Sequence, residues 1–421
     1  MRATPPDDPA IESAASGREV AQGSGARWRW GAVSLLTGAH LVHDMSLGVL
    51  GILLPFLREE LGFSLLLAGL LLPAQQAGSL LQPVLGGYAD RYGRRKFVLV
   101  FLFLTPVSMS LMGLSPNYAF LMAVVAIGGL SSAAYHPAGS SLLTEYAGTR
   151  WGTGLAIYHF GGNVGLAIGP LAAGFVVAMM GLRGTFVLAI PAIVFTVLLA
   201  ASLRRTGGGE GRGGGRQASR AFFWQHRRAF LPLFAVVFGR AVGAGGLTLF
   251  LPSLLVERGL ALGLVATVTS GYFLFGGVGG LVTGWASDRF GRRLMLGTLL
   301  ILAPASIFGF LSIPGPIGLM LLLVAAVSLL GEQPIIMAMI QEWAPERRGA
   351  IVGVVLGSQF VLAGIGTALV GFLADRFGLT TAFQLVALAP LVGAPFVRFL
   401  PSGRLEAPTA DETPSAVEDA R

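Results

Sequence analysis

The chain has 421 residues, of which 54% are hydrophobic and only 12% charged, and its mean hydropathy is +0.73. Soluble proteins carry about 25% charged residues, so this chain lacks the polar surface for a water-facing fold, and an ordinary cytosolic enzyme is excluded. Cysteine is absent, which excludes a disulfide framework, a thiolate metal site and a cysteine nucleophile.

A helix crosses a bilayer core of about 30 Å with about 20 mostly apolar residues, and twelve such stretches follow one another along the chain. They run Trp30–Phe56, Ser64–Tyr88, Phe97–Leu114, Tyr118–Leu143, Gly152–Met180 and Gly184–Leu203, then Phe230–Val256, Leu262–Ala286, Leu294–Ile313, Ile317–Gln341, Gly349–Ala374 and Thr380–Val397. A barrel would show short alternating segments instead, so the chain reads as an all-α integral membrane protein. The polar N-tail, 1–29, has no separate apolar core and does not resemble a cleavable signal peptide. Residues 204–229 form a break with seven glycines and seven arginines, which reads as a flexible cytoplasmic linker. Its glycines neither follow a strand nor open a helix, so a nucleotide loop is not expected. The tail 401–421 reads as disordered. The chain thus divides into six-helix bundles at 30–203 and 230–400.

Placing the N-terminus in the cytoplasm puts 24 of the 29 Lys and Arg on that side and four, Arg58, Arg183, Arg258 and Arg376, on the other, with Arg240 inside a span. That asymmetry is a positive-inside signal. The six tryptophans, at 28, 30, 151, 224, 285 and 343, fall near the same ends, where indoles sit at headgroup level. The net charge of +8 is therefore topology, and no nucleic-acid partner is implied.

The halves match at a nearly fixed offset. Adding 197 takes Pro55 to Pro252, Glu60 to Glu257, Pro137 to Pro334, Glu145 to Glu342, Gly169 to Gly366 and Phe186 to Phe383. At 198 the loop GGYADRYGRR around Asp90 meets TGWASDRFGRR around Asp288. This is a duplicated six-helix unit, a recurrent transporter plan with the site between the halves near the midplane. The pattern Gly86-x-x-x-Asp90-Arg91-x-Gly93-Arg94-Arg95, repeated from Gly284 to Arg293, resembles the loop signature of the major facilitator superfamily. The likeness covers Trp30 to about Val397. His40-Leu41-Val42-His43-Asp44, SLLQPVLGG (79–87), YHPAGSS (135–141) and GGNVG (161–165) narrow it to the fosmidomycin-resistance branch. The resemblance implies twelve transmembrane helices in two pseudo-symmetric halves. It also implies a cytoplasmic gate, stable only in the outward-open state, built from Gly86, Asp90, Arg91, Gly93, Arg94, Arg95, Asp288, Arg289 and Arg292. The alternative for this loop is simple topology anchoring, which needs the arginines alone.

Ionisable residues inside spans are costly and usually face a bundle interior. Here they are His40, His43 and Asp44 in the first span, His136 in the fourth, His159 in the fifth, Arg240 in the seventh and Glu332 in the tenth. His40, His43 and Asp44 share one helix face. Asp44 lies about 21 Å, and Arg240 and Glu332 about 15 Å, from the cytoplasmic ends of their helices, near the midplane. In the superfamily resembled, the first, fourth, seventh and tenth helices line the cavity, which these residues would then face. An intramembrane acid is a proton-relay candidate and histidine titrates near neutrality, so Asp44, Glu332, His43 and His136 are candidates for proton coupling. Arg240 suits a phosphate, phosphonate or carboxylate, and with His40, Tyr135, Gln333, His159 and Asn163 makes the candidate solute site. The bland alternative is that Asp44–His136 and Arg240–Glu332 are satisfied pairs between helices.

Gly165-x-x-x-Gly169-Pro170-x-x-x-Gly174 in the fifth span permits close packing and a bend, and resembles the antiporter signature of the superfamily. Its counterpart has Thr367 in place of the proline, and the arginine often found in the fourth helix of such antiporters is Val125 here. Gly276 to Gly280 reads as a packing surface. A metal on His40 and Asp44 would want a third ligand, which the sequence does not place, so neither metal nor cofactor is expected. The reading is a monomeric secondary transporter in a bacterial inner membrane, with both termini cytoplasmic, exporting a small amphiphilic or anionic drug or metabolite in exchange for protons. The rival is a proton symporter importing an organic anion. An embedded enzyme or a sensor would need an interfacial catalytic cluster or an added soluble domain, and neither pattern is present in the sequence.

Overall fold

The computed structural model describes residues 28–203, 226–343 and 348–401. The tails and linker read from the sequence lie outside these residues, apart from their edges. Among the described residues the fold is all helix, with no strand. The elements are α1 (Trp30–Leu61), α2 (Leu65–Tyr92), α3 (Arg94–Leu114), α4 (Tyr118–Ala147), α5 (Trp151–Met180) and α6 (Leu182–Ser202). They continue as α7 (Arg227–Glu257), α8 (Leu262–Phe290), α9 (Arg292–Ser312), α10 (Pro316–Trp343), α11 (Arg348–Phe377) and α12 (Leu379–Phe399). Twelve crossings were expected; among the described residues eleven helices are long and apolar enough to cross a membrane, the longest, Tyr118–Met180, being α4 and α5 joined by the 3-10 turn Gly148–Arg150.

Local chemistry explains the element ends. Ser64 and Asn117 cap α2 and α4 by accepting the amides of Leu67 and Phe120. Gly93 and Gly291, the loop glycines of the repeat, take φ of 106° and 96°, a region closed to most other residues. Among the described residues several spans depart from a continuous α-helix, α12 at Ala387–Leu388 and α6 over the 3-10 stretch Leu182–Ala189 among them. Helix α1 breaks at Gly48, α10 breaks at Gly331, and α2 passes through a 3-10 turn over Ala77–Leu81. By contrast α5 runs unbroken through Pro170.

The expected glycines set the packing. Cβ atoms added at Gly161, Gly165 and Gly169 of α5 would collide with α1 at Thr37, Leu41 and Met45, so the two backbones meet at glycine distance. Gly174 instead faces Ala266 of α8. In the other half Gly366 of α11 meets Val242 of α7, the repeat counterpart of Gly169 on Met45. Gly276, Gly279 and Gly280 of α8 pack on Leu330, Val327 and Pro334 of α10, the packing surface expected.

The buried apolar side chains divide unevenly along the membrane normal. At the end away from the basic loops, one cluster merges both halves, from Val49–Leu72 and Leu121–Val177 to Leu247–Leu255 and Val370–Val386. At the basic-loop end two separate clusters stand, one of α1 to α6 side chains around Tyr135 and Tyr158 and one of α7 to α12 side chains around Ile336 and Trp343. The halves are therefore sealed together at one end and parted at the end that carries the basic loops.

Candidate functional site

The first half gathers its intramembrane polar groups around Asp44. His40 and Asp44 are one turn apart on α1, with His40 Nε2 3.2 Å from Asp44 Oδ2. His43 Nδ1 donates to Asp44 Oδ1 at 2.8 Å, and His136 Nε2 of α4 approaches the same oxygen at 3.8 Å. His40 Nδ1 donates to the Tyr158 carbonyl of α5 at 2.8 Å, because a carbonyl can only accept. Two tyrosines hold the imidazoles flat: Tyr158 stacks on His40 at 4.0 Å and 18°, and Tyr135 stacks on His43 at 4.0 Å and 12°. Gly162 of α5 makes room for the cluster, since a Cβ there would lie 2.6 Å from Asp44 Oδ2. The third group near His40 and Asp44 that sequence alone did not place is His136, and the ligand atoms of these three all lie within 4.8 Å of one another.

The second half offers a different pair. Arg240 Nε of α7 donates to the Leu329 carbonyl at 3.1 Å, which the break at Gly331 exposes, and stands 4.0 Å from Glu332 Oε2. That distance is too long for a hydrogen bond, and neither carboxylate oxygen of the fully buried Glu332 has a partner. The Arg240–Glu332 pair, the alternative structural reading, is thus a close ion pair without a hydrogen bond, with Arg240 Nε given to a carbonyl.

Between the halves lies a central cavity with two connected lobes. One, of about 270 Å³, is lined by Asp44 and His136 together with Gln75, Ser132 and Thr269. The other, of about 450 Å³, is lined by Arg240, Asn163, Gln333 and Gln359. Gln76, Thr248, Phe273 and Phe360 wall both. Asp44, His136, Arg240, Asn163 and Gln333 therefore line the cavity. Five residues do not line either lobe in the expected way. Tyr135 and Glu332 are fully buried behind His136 and Gln333, their immediate neighbours on α4 and α10, because one residue along a helix turns a side chain by about 100°. His40 and His43 are turned into the first half, 2% and 0% exposed. His159 is exposed on α5, its ring 5.8 Å from His40, away from both lobes. Gln75, Gln76, Gln359 and the two phenylalanines were missed; amide side chains inside otherwise apolar spans were the available signal.

At the basic-loop end the repeat builds the same triad twice. Arg94 donates to Asp90 at 2.6 Å and to Glu145 at 2.7 Å, and Arg292 reaches Asp288 at 3.0 Å and Glu342 at 2.8 Å. Glu145 and Glu342 were visible as an offset match and unassigned. Arg95 donates to the Ala200 carbonyl, and Arg91 lies over the ring of Tyr92. Gly86 and Gly284 pack on Pro137 and Pro334. Among the described residues, every ion pair at this end stays within one half, so the expected gate is not assembled across the halves in this state.

At the sealed end, Asp375 of α11 crosses between halves and accepts the amides of Leu65 and Leu66 at 2.8 and 2.9 Å. With Ser64 taking Leu67, the first turn of α2 is fully capped. Thr367, just over two turns earlier on α11, donates to the Gly69 carbonyl at 2.8 Å. The string Gly371-x-x-x-Asp375-Arg376-x-Gly378 repeats the loop pattern a third time, at the opposite end, and was a missed signal.

The comparisons with known proteins agree with this architecture. The family model described as Major Facilitator Superfamily matches residues 36–268 and 233–419. The fosmidomycin resistance protein of Escherichia coli is 24% identical over 403 residues, covering 90% of this chain and 95% of its own. The 4-hydroxybenzoate transporter of Pseudomonas aeruginosa is 26% identical over 66% of this chain and 70% of its own. Among solved structures, a bacterial homologue of the human lysosomal transporter Spinster, inward-facing and occupied, superposes with a TM-score of 0.76 at 16% identity, covering 88% of this chain and 96% of that one.

Proposed function

The chain belongs to the Major Facilitator Superfamily, and from that premise we propose that it exports a small amphiphilic or anionic solute, a drug or metabolite, in exchange for protons. The protein is a multi-pass membrane transporter; the bacterial inner membrane, a monomeric state and cytoplasmic termini belong to the proposal, the last resting on the excess of Arg and Lys at one end. With that orientation, the cavity in this state opens to the cytoplasm.

The observation that carries the reading is the Asp44 cluster reaching the cavity wall beside a second lobe bearing Arg240. A proton held at Asp44 is in hydrogen-bond reach of His40 and His43, with His136 3.8 Å away, and can leave through His136, whose side chain is 30% exposed. Arg240 holds the anionic end of the solute, and Gln333, Asn163 and Gln359 supply polar contacts without charge. Glu332 acts as a second proton acceptor, coupled to solute through the neighbouring guanidinium rather than by touching the cavity. The halves then rock, the sealed end parting as the triads around Arg94 and Arg292 come together.

The test is a resistance panel, fosmidomycin included, in a bacterium lacking its main efflux pumps, comparing wild type with Asp44→Asn at matched expression. Resistance conferred by wild type and lost in the variant supports proton-coupled export. Resistance that survives the substitution removes Asp44 from the coupling path. If wild type protects against nothing, the importer is favoured. Arg240 in the cavity and the likeness to a 4-hydroxybenzoate transporter make aromatic carboxylates the uptake substrates to try next.

A further inference from the structure

We propose that His40 Nε2, an Asp44 carboxylate oxygen and His136 Nε2 form a binding site for a divalent first-row transition-metal ion of the zinc class, with a fourth coordination position open to the central cavity. The site goes beyond the exporter reading and does not rest on it.

The tautomer of His40 is the first reason. Its Nδ1 carries the hydrogen donated to the Tyr158 carbonyl, so in the neutral ring Nε2 presents a lone pair. That lone pair lies 3.2 Å from Asp44 Oδ2, and Nε2 makes no hydrogen bond although the residue is 2% exposed. Two lone pairs at that distance repel unless a cation lies between them. A proton does so, and a metal ion does so with a third ligand to spare. An imidazole whose other nitrogen is tied to a backbone carbonyl is the usual form of a metal-ligating histidine.

The ligand spacing is the second reason. Four ligands at about 2.0–2.1 Å from zinc stand about 3.3 Å apart in a tetrahedron. His40 Nε2 lies 3.2 Å from Asp44 Oδ2 and His136 Nε2 3.8 Å from Oδ1, with the three ligand atoms all within 4.8 Å of one another, so His136 moves inward to complete the set. Third, the surroundings are built to hold the set. His43 donates to Asp44 Oδ1, which orients the carboxylate, while Tyr158 fixes the His40 ring from the far face. Gly162 keeps the space beside Asp44 and His40 clear. Asp44 and His136 also line the cavity lobe, which gives an ion its path and leaves the open position facing solute. Two imidazoles and a carboxylate, with no thiolate, select zinc, cobalt, nickel or copper(II) over magnesium or calcium.

A metal in this place occupies the atoms through which the exporter would pass protons, so it competes with them.

The experiment uses the full chain, purified in detergent with its affinity tag removed, titrated with Zn²⁺ by calorimetry and with Co²⁺ by visible absorption. The expected result is one ion per chain and the intense ligand-field bands of four-coordinate cobalt. His136→Gln and His40→Gln each weaken binding at least tenfold, while His226→Gln, far from the cluster, leaves it unchanged. His136 lies at the cavity wall, so His136→Gln gives a monodisperse protein even if His40→Gln misfolds. Absence of stoichiometric binding, octahedral cobalt only, or binding that survives His136→Gln overturns the site. None of these outcomes alters the resistance result with Asp44→Asn, so the two proposals fail separately.

Discussion

Asp375 is the charged group that closes the sealed end, and its removal has a calculable consequence. Its carboxylate takes two backbone amides of the other half at 2.8 and 2.9 Å. A hydrogen bond to a charged group is worth about 1.5–3 kcal/mol when buried. Here the Leu66 bond is exposed, and solvent screening brings exposed charge pairs down to about 0–1 kcal/mol. Together the two bonds, with the favourable dipole of the α2 N-terminus, contribute about 1–2 kcal/mol. That is a factor of about 5–30 in a conformational ratio. Thr367 and the merged apolar cluster remain, so Asp375→Ala shifts the equilibrium toward the state open at this end without unfolding the protein. Asp375→Asn, which keeps one neutral acceptor, shifts it less. The chain has no cysteine, so spin labels at Arg183→Cys and Ser312→Cys, on the two halves at this end, report one distance without background. Pulsed electron-spin measurements in nanodiscs should show the longer distance gaining population at least fivefold in Asp375→Ala. A distribution within twofold of the parent would refute the assignment of Asp375 as a latch.

Other substitutions follow from the same geometry. Asp44→Asn should reduce solute-driven proton movement in proteoliposomes by at least tenfold, read with an internal pH dye, while solute binding persists. Arg240→Ala removes a charge-assisted contact worth about 1.5–3 kcal/mol and should raise the KM for an anionic solute about 10- to 100-fold; an unchanged KM in transport assays would take Arg240 out of the solute site. Gly162→Ala places a methyl 2.6 Å from Asp44 Oδ2 and from His40 Cε1; such overpacking costs about 1–3 kcal/mol, seen as a lower Tm, and transport should fall more than stability because the carboxylate is displaced from His40.

The spans, the duplication and the residues at mid-depth were legible because each rests on a one-dimensional signal: run length, offset, and charge within an apolar run. The offset extends to contacts, since Gly169 on Met45 and Gly366 on Val242 are equivalent pairs. Side-chain azimuth was not legible to one residue. Tyr135 and Glu332 are themselves related by the 197 offset, and both turn into their bundles while their neighbours His136 and Gln333 line the cavity. The same rotation therefore misplaced both, and the pairing of the two errors shows how faithfully the halves repeat. Partners brought by other helices were illegible for another reason: Glu145 on Arg94, Tyr158 on His40 and Asp375 on Leu65 are set by helix crossings that no local pattern encodes.

The interruptions in α1 and α10 connect the two lobes to the fold. In a bilayer a backbone carbonyl without a donor costs several kcal/mol, so a break is tolerated only where something else satisfies the exposed groups. In α1 the break at Gly48 is closed by its own amide donating to the Asp44 carbonyl, which leaves the Asp44 side chain available for the imidazoles. In α10 the Gly331 amide likewise donates to Val327, and the carbonyls beside the break are in addition served from outside, by Thr283 donating to Gly331 and by Arg240 donating to Leu329. Arg240 is thus structural through Nε and at the same time a wall of the cavity, so the two roles are linked. A solute anion drawn to the guanidinium pulls on the donor that satisfies α10, one turn from the unpartnered carboxyl of Glu332. In the proposed exporter, solute binding and the protonation of Glu332 would be joined through this one side chain. The proposal would then give the second half a coupling route of its own, chemically unlike the imidazole cluster that the duplication placed opposite it.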